Sequence, residues 1–368
     1  MFKIRSIYKS LIKLVLSLIT ALFVFFYLNS NSGSFENLAM GTQTSPYQAR
    51  NERGNPIHFF HLDSVELDQL DSLVFNNDDS ALVFLGNSQT HSINQKKEKE
   101  CNYVELLSRN LQDPCVAFTF PNANLQEFLL TLDYTSSKLK IKKVCIPIFM
   151  DDLREDGIRE VFFPELFKRK YQIVNKSLVS EEINLSLRSG SGSEKTREKH
   201  VPTPQDNTEK FLNTFLNENT IFWPMRETMR GNLFNWLYML RNTILGIRPG
   251  TVRPMILKNY KNNFTALEHI LDYTHANNIE VYLYIPPIRS DVPLPYDILE
   301  MKKFKLDLNR LVEKYPNSSL KDYSAIVPGR YWGYKDPTNF IDKREVDFMH
   351  FQYDGHKILA DSLIKYIR

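Results

Sequence analysis

Apolar and polar positions follow one another along this chain in two rhythms. Short apolar runs, "ALVFLG" (81–86), "CVAFTF" (115–120), "KKVCIPIF" (142–149) and "IEVYLYIPP" (279–287), have the length and the β-branched and aromatic content of buried strands. Between them, "YVELLSRNL" (103–111), "LQEFLLTLDYTSSKL" (125–139) and "FTALEHILDYTHANN" (264–278) repeat apolar residues at three- and four-residue spacing, which predicts helices. Strands alternating with helices imply an α/β fold, a mostly parallel sheet covered on both faces. Ligands of such sheets sit beyond the carboxyl ends of the strands, where Ser88 falls after "ALVFLG".

The alternation breaks between about 157 and 251, which predicts an insertion. Its segment from about 188 to 209 is poor in apolar residues and rich in Ser, Gly, Pro and charge, so a disordered loop is expected there. After it, "FLNTFLNENTIFWPMRETMRGNLFNWLYMLRNTILGI" combines Trp223 and Trp236 with Arg226, Arg230 and Arg241. Such a helical mixture can cover a site, lie on a membrane surface, dock a partner, or simply pack on the core.

The amino-terminal pattern is different again. Leu11 to Leu28 is almost wholly apolar, with Lys13 near its start, and is long enough to span a bilayer. Lys3, Arg5, Lys9 and Lys13 precede or open it and no positive charge follows closely, so residues 1–28 are expected to place a short tail in the cytoplasm and the bulk of the chain outside. A cleaved signal peptide is the competing reading, disfavoured by the phenylalanine-rich end and the lack of an A-x-A site. Polar residues 29–53 then read as a tether, and 54–368 as the α/β domain carrying the insertion.

Composition adds exclusions. With 46 Lys and Arg against 43 Asp and Glu over 368 residues, the net charge of +3 is interspersed and argues against a nucleic-acid partner. Cys101, Cys115 and Cys145 have no C-x-x-C spacing, so neither a disulfide scaffold nor a zinc cage is indicated, and Cys115 and Cys145 fit core strands.

The chemistry concentrates at two distant places. A serine after a strand, on a glycine turn at a helix start, holds its hydroxyl at the sheet edge, but Gly86-Asn87-Ser88 alone equally suits a helix cap. A base is needed, and "EVDFMHFQYDGH" supplies one: a short turn holding Asp347 against one ring nitrogen of His350 leaves the other to face a serine. Asp354 can cap the terminal helix that follows. Elsewhere, His58 and His61 lack a third ligand at useful spacing, His91 reads as a surface histidine, and Asp151 with Asp152 suggests a capped loop more than paired catalytic carboxylates.

A Gly-x-Ser after the first strand together with D-x-x-H before a C-terminal helix resembles the SGNH/GDSL hydrolase superfamily, over about 81–154 and 279–368. The resemblance implies a three-layer α/β/α sandwich with Ser88 as nucleophile, His350 as base and Asp347 as its orienter. It also implies oxyanion or substrate-binding positions at Asn122 or Asn124 after the second strand and at Asp151 after the third. The first block reads Gly-Asn-Ser where the family usually has Gly-Asp-Ser, and Asp151 stands where the family has an amide donor; a carboxylate there repels an oxyanion. With its anchor, the chain is similar to envelope-acylation proteins of the DltD, AlgJ and AlgX type. That similarity implies an acyltransferase or acylesterase acting on hydroxyls of an envelope glycan or lipid-linked polymer, beside a membrane-bound O-acyltransferase and without metal or nucleotide cofactor. A general carboxylesterase or lipase, and a non-catalytic glycan-binding scaffold, are the alternatives.

Overall fold

The computed structural model describes residues 42–73, 80–174, 177–189, 204–220 and 223–368, with Lys13, Leu16, Ser17 and Thr20. Most of the expected membrane span and most of the expected loop at 188–209 lie outside the described residues. Among those described, no helix is long and apolar enough to cross a membrane.

Six strands form one parallel sheet: β2 (His58–Phe59), β3 (Ala81–Gly86), β5 (Cys115–Thr119), β6 (Ile141–Pro147), β7 (Glu280–Ile285) and β8 (Ser318–Asp322), side by side in the order β2-β5-β3-β6-β7-β8. The chain adds β5 on one flank of β3, then returns to add β6 on the other. The order therefore reverses at β3, and the carboxyl ends of β3 and β6 border a topological switch point, where open α/β sheets form their crevice.

Alternate residues of the strands serve opposite faces. Val83, Leu85, Val116, Phe118, Val144 and Ile146 join a core with Phe128, Leu267 and Phe304. These last three come from α4 (Leu125–Ser136), α9 (Leu257–Ala276) and α10 (Ile298–Val312). Leu82, Phe84, Ala117, Cys145 and Tyr284 form a second core with Val104, Leu107, Leu359 and Leu363, from α3 (Tyr103–Asn110) and α11 (Tyr353–Ile367). Burial of both faces is why the strands read as continuous apolar runs. β8 escaped the sequence reading because its residues are half-buried or exposed, and "SSLKD" carries no apolar rhythm.

Smaller elements frame the carboxyl edge. β1 (Thr44–Pro46) pairs antiparallel with β4 (Ser92–Asn94), and β9 (Trp332–Lys335) pairs with β10 (Glu345–Phe351). The expected tether is thereby corrected: from Thr42 to Arg53 the chain is part of the folded body, with Ala49 fully buried in the second core. The short helices α1 (Ser64–Ser72), α2 (Ser88–His91), α5 (Pro164–Lys168) and α6 (Leu178–Ser189) complete this unit, α6 burying Val179, Ile183 and Leu187 in the first core.

The described residues within 204–248 and 335–345 belong to a second compact unit. It contains α7 (Pro204–Asn219) and α8 (Arg226–Leu245), so the chain is helical from Pro204, five residues before the expected end of the loop. Within it, Asn242 Nδ2 donates to Thr338 O at 2.9 Å, Arg248 pairs with Asp342 at 3.4 Å, and Glu345 accepts from Thr338 Oγ1 and Asn339 Nδ2.

Candidate active site

β3 ends at Gly86 because the chain must turn there in close contact with itself. A Cβ at that position would lie 2.2 Å from Thr90 Oγ1. Asn87 follows as the N-cap of α2, its Oδ1 accepting Gln89 N–H at 3.0 Å. The capping role thus belongs to Asn87, and the Ser88 hydroxyl is released for another partner.

That partner is His350. Ser88 Oγ lies 3.0 Å from His350 Nε2 across 262 positions of sequence, and His350 Nδ1 lies 3.0 Å from Asp347 Oδ2. A carboxylate only accepts, so Nδ1 carries the proton and donates to Asp347, leaving Nε2 to accept from the serine hydroxyl. All three side chains are buried.

The D-x-x-H spacing works through the backbone. Asp347 and His350 lie on β10, a strand rather than the expected short turn, yet Asp347 Oδ1 accepts the N–H groups of both Met349 and His350 at 2.9 Å. This local bend around the carboxylate brings the ring at position i+3 back to it. Burial alone would raise the Asp347 carboxyl; the His350 charge and the bonds from the ring and backbone N–H groups outweigh it, holding the pKa down at about 2. α11 then starts after Gln352, and Asp354 sits within its first turn rather than at the cap, correcting that expectation.

Several supporting groups were invisible in the sequence. Asn94 Nδ2 donates to Asp347 Oδ2 at 3.3 Å and to Thr44 Oγ1 at 3.0 Å, so the β1–β4 pair braces the carboxylate. Gln89 Nε2 donates to Pro287 O at 2.9 Å and to Met349 O at 2.7 Å, tying the serine turn to the histidine strand. Asn87 Nδ2 donates to the buried Asp152 Oδ1 at 3.0 Å, joining the ends of β3 and β6. None of these has a local pattern that marks it, since each depends on a partner far along the chain.

The expected oxyanion residues fare differently. Asn124 is the N-cap of α4 in a capping box: its Oδ1 accepts Glu127 N–H at 3.0 Å and its Nδ2 donates to Gly157 O at 2.8 Å. Its amide is committed to structure, which corrects the expectation; the N-x-x-E spacing at 124–127 was the signal for it. Asp151 is also corrected. It pairs with Arg253 at 3.0 Å and Arg154 at 3.6 Å and accepts from Tyr296 Oη at 2.8 Å, so its charge is used in an ion cluster. Asn122 is exposed in a left-handed turn (φ 51°) after β5. Arg159 holds the carbonyls of Pro121 and Asn122, and Phe120 N–H donates to Gly86 O at 3.1 Å, which sets that turn beside the serine elbow. At the start of α2, Gln89 N–H is taken by Asn87, which leaves the Ser88 N–H as the backbone donor of the first turn.

His91 is buried rather than on the surface. Its Nδ1 and His58 Nε2 share Thr119 Oγ1 at 2.8 and 2.7 Å, and burial holds His58 down at about 3 and His91 well below the usual histidine range. Both are neutral packing groups, whereas His61 is exposed. Among the described residues no cluster of three or more His, Cys, Asp or Glu is placed to hold a metal.

No protein-family profile matches the chain, and no curated protein matches it in sequence. Solved structures similar to it include an acetylxylan esterase from Geobacillus stearothermophilus, at 14% identity and a TM-score of 0.36 over 78% of this chain and 94% of that one. An alpha/beta hydrolase enzyme from the metagenome of Lake Arreo, Spain, is similar at 12% identity and a TM-score of 0.36, again over 78% and 94%. A family two carbohydrate esterase from Clostridium thermocellum, in complex with cellohexaose, is similar at 9% identity and a TM-score of 0.34, over 78% and 63%. With likeness this low, the functional reading rests on the geometry of Ser88, His350 and Asp347.

Proposed function

We propose that the protein is a serine acyl-transfer enzyme of the SGNH type, anchored by residues 1–28 with its α/β domain outside the cytoplasmic membrane. The observation that carries this is the continuous hydrogen-bond line from Ser88 Oγ through both nitrogens of His350 to Asp347, each step 3.0 Å. Ser88 Oγ attacks the acyl carbonyl while His350 Nε2 takes its proton, and Asp347 stabilises the imidazolium. The proton then passes to the departing alkoxide, leaving an acyl-serine. An acceptor hydroxyl, or water, deprotonated by His350, attacks that ester and regenerates Ser88. The acceptor class is a hydroxyl of an envelope glycan or lipid-linked polymer, with a membrane-bound O-acyltransferase as donor partner.

A fluorophosphonate probe tests the nucleophile. Covalent labelling of the full chain that disappears in Ser88→Ala supports the reading; no labelling of well-folded protein overturns it. Acyl transfer to an added oligosaccharide, measured against release to water, separates transferase from esterase. One observation favours the non-catalytic scaffold as a second reading: Asn124 and Asp151 are both engaged elsewhere, so neither side chain serves as an oxyanion donor. Losing one such donor costs about a hundred- to a thousandfold in rate, so slow hydrolysis is expected even of a competent triad.

A further inference from the structure

The helix α8 carries an exposed apolar side with a regular arrangement. Leu233, Phe234, Leu237, Ile244 and Leu245 are between 43% and 73% exposed, and their three- and four-residue steps place them on one stripe. Arg226, Arg230 and Arg241 fall on the same stripe, against a single acidic residue, Glu227, at its edge in the first turn. Each arginine covers an aromatic ring: Arg226 on Trp223 at 4.7 Å, Arg230 on Phe234 at 5.7 Å, and Arg241 on Tyr238 at 4.7 Å. An apolar strip this long is unusual on a water-facing helix.

We propose that this side of α8 lies on an anionic bilayer surface, its leucines, isoleucine and phenylalanine in the acyl boundary and its arginines against lipid phosphates. The charge is what selects the occupant. Arginines spaced along an apolar stripe, each with its stem and ring partner able to reach the headgroup level, complement anionic lipid along the whole helix. The proposal rests on the membrane-anchored reading above and deepens it, because it gives the anchored chain a second contact with the bilayer.

The three tryptophans of the chain make the test direct. Trp223 and Trp236, beside or on α8, are each 36% exposed, whereas Trp332 is 2% exposed with its indole N–H bonded to Val327 O at 3.1 Å. The full chain is reconstituted in bilayers of phosphatidylcholine and phosphatidylglycerol, with or without acyl-brominated lipid as a contact quencher. The expected result is loss of the Trp223 emission with the Trp332 component retained and Trp236, off the stripe and packed on Phe340, changed less. The quenching should weaken in pure phosphatidylcholine and in the triple variant Arg226→Gln, Arg230→Gln, Arg241→Gln. Flotation of the same samples reports the anchor separately. A chain that floats without quenching overturns the α8 proposal alone and points to a protein partner on that side; a chain that does not float overturns both the proposal and the anchored reading. Fluorophosphonate labelling of Ser88 is independent of either outcome.

Discussion

The Asn87 amide donates 3.0 Å to the buried carboxyl of Asp152 while its oxygen caps α2, so one side chain ties the turn that carries Ser88 to the end of β6. The amide does both because its oxygen accepts at the cap while its NH2 donates to Asp152. Burial pushes the Asp152 carboxyl well above the usual range, against the opposing bonds from Asn87 and Phe149 N–H. Asn87→Asp would set a second carboxyl against the first. Folded-state protonation is then favoured, so the pair is tolerated at low pH and its stability contribution is lost as pH rises. The variant is expected to melt below wild type by a margin that widens from about pH 4 to pH 8. Asn87→Ser keeps a cap without adding charge, so its margin should widen less over the same range. A constant margin for both would remove the electrostatic account.

Gly86 is held to glycine by space. A methyl there meets Thr90 Oγ1 at 2.2 Å and Thr90 Cβ at 2.9 Å, so α2 must move with Ser88 on it. Gly86→Ala should cost about 1 to 3 kcal/mol by overpacking. It should also reduce fluorophosphonate labelling more than the fraction unfolded accounts for, measured by thermal melts and labelling rate on the same sample. An unchanged labelling rate would mean that the turn absorbs the methyl without moving the hydroxyl.

How much of this was legible in the sequence follows from where each group finds its partner. The buried strands β3, β5, β6 and β7 were readable because both faces are apolar. Ser88, Asp347 and His350 were readable because their spacing to strand and helix signals is local. β1 and β4 are three residues each, too short for any period to show. Asp151 and Asp152 are adjacent, and which of them faces Asn87 is decided by the tight turn at Asp151–Leu153, whose geometry the sequence does not display. Asn94, Thr44 and Gln89 act on residues some 250 or more positions away or through strand pairing, and nothing near them announces it.

On the proposed mechanism Gln89 is a positioning residue. Its buried amide joins the carbonyls of Met349 and Pro287, and Met349 is the neighbour of His350. Gln89→Leu keeps the volume approximately and strands a buried acceptor and a half-buried one, so β10 can shift relative to α2. Misplacement of a base by about an ångström can cost on the order of a hundredfold. The expected effect is a fall in kcat of about 10- to 100-fold with KM nearly unchanged. A KM change at constant kcat would instead assign the residue to substrate binding.

Asp347 sets the acid behaviour of the site. Its pKa is about 2 in the fold against 3.8 for an ordinary aspartate, so its folded value is depressed. The resulting contribution to stability is complete above 3.8 and is lost as pH falls through about 2. The stability difference between wild type and Asp347→Asn is therefore expected to be flat down to about pH 4 and to shrink below it, read by denaturant titration at each pH. Over the flat range the variant should still fold, but an amide in place of the carboxylate no longer fixes the proton on Nδ1 of His350. Turnover should then drop by roughly 10⁴-fold. A variant that keeps wild-type turnover would show that His350 needs no orienting anion. A stability difference that already shrinks near neutral pH would show that the carboxyl is not held down by its ring and backbone partners.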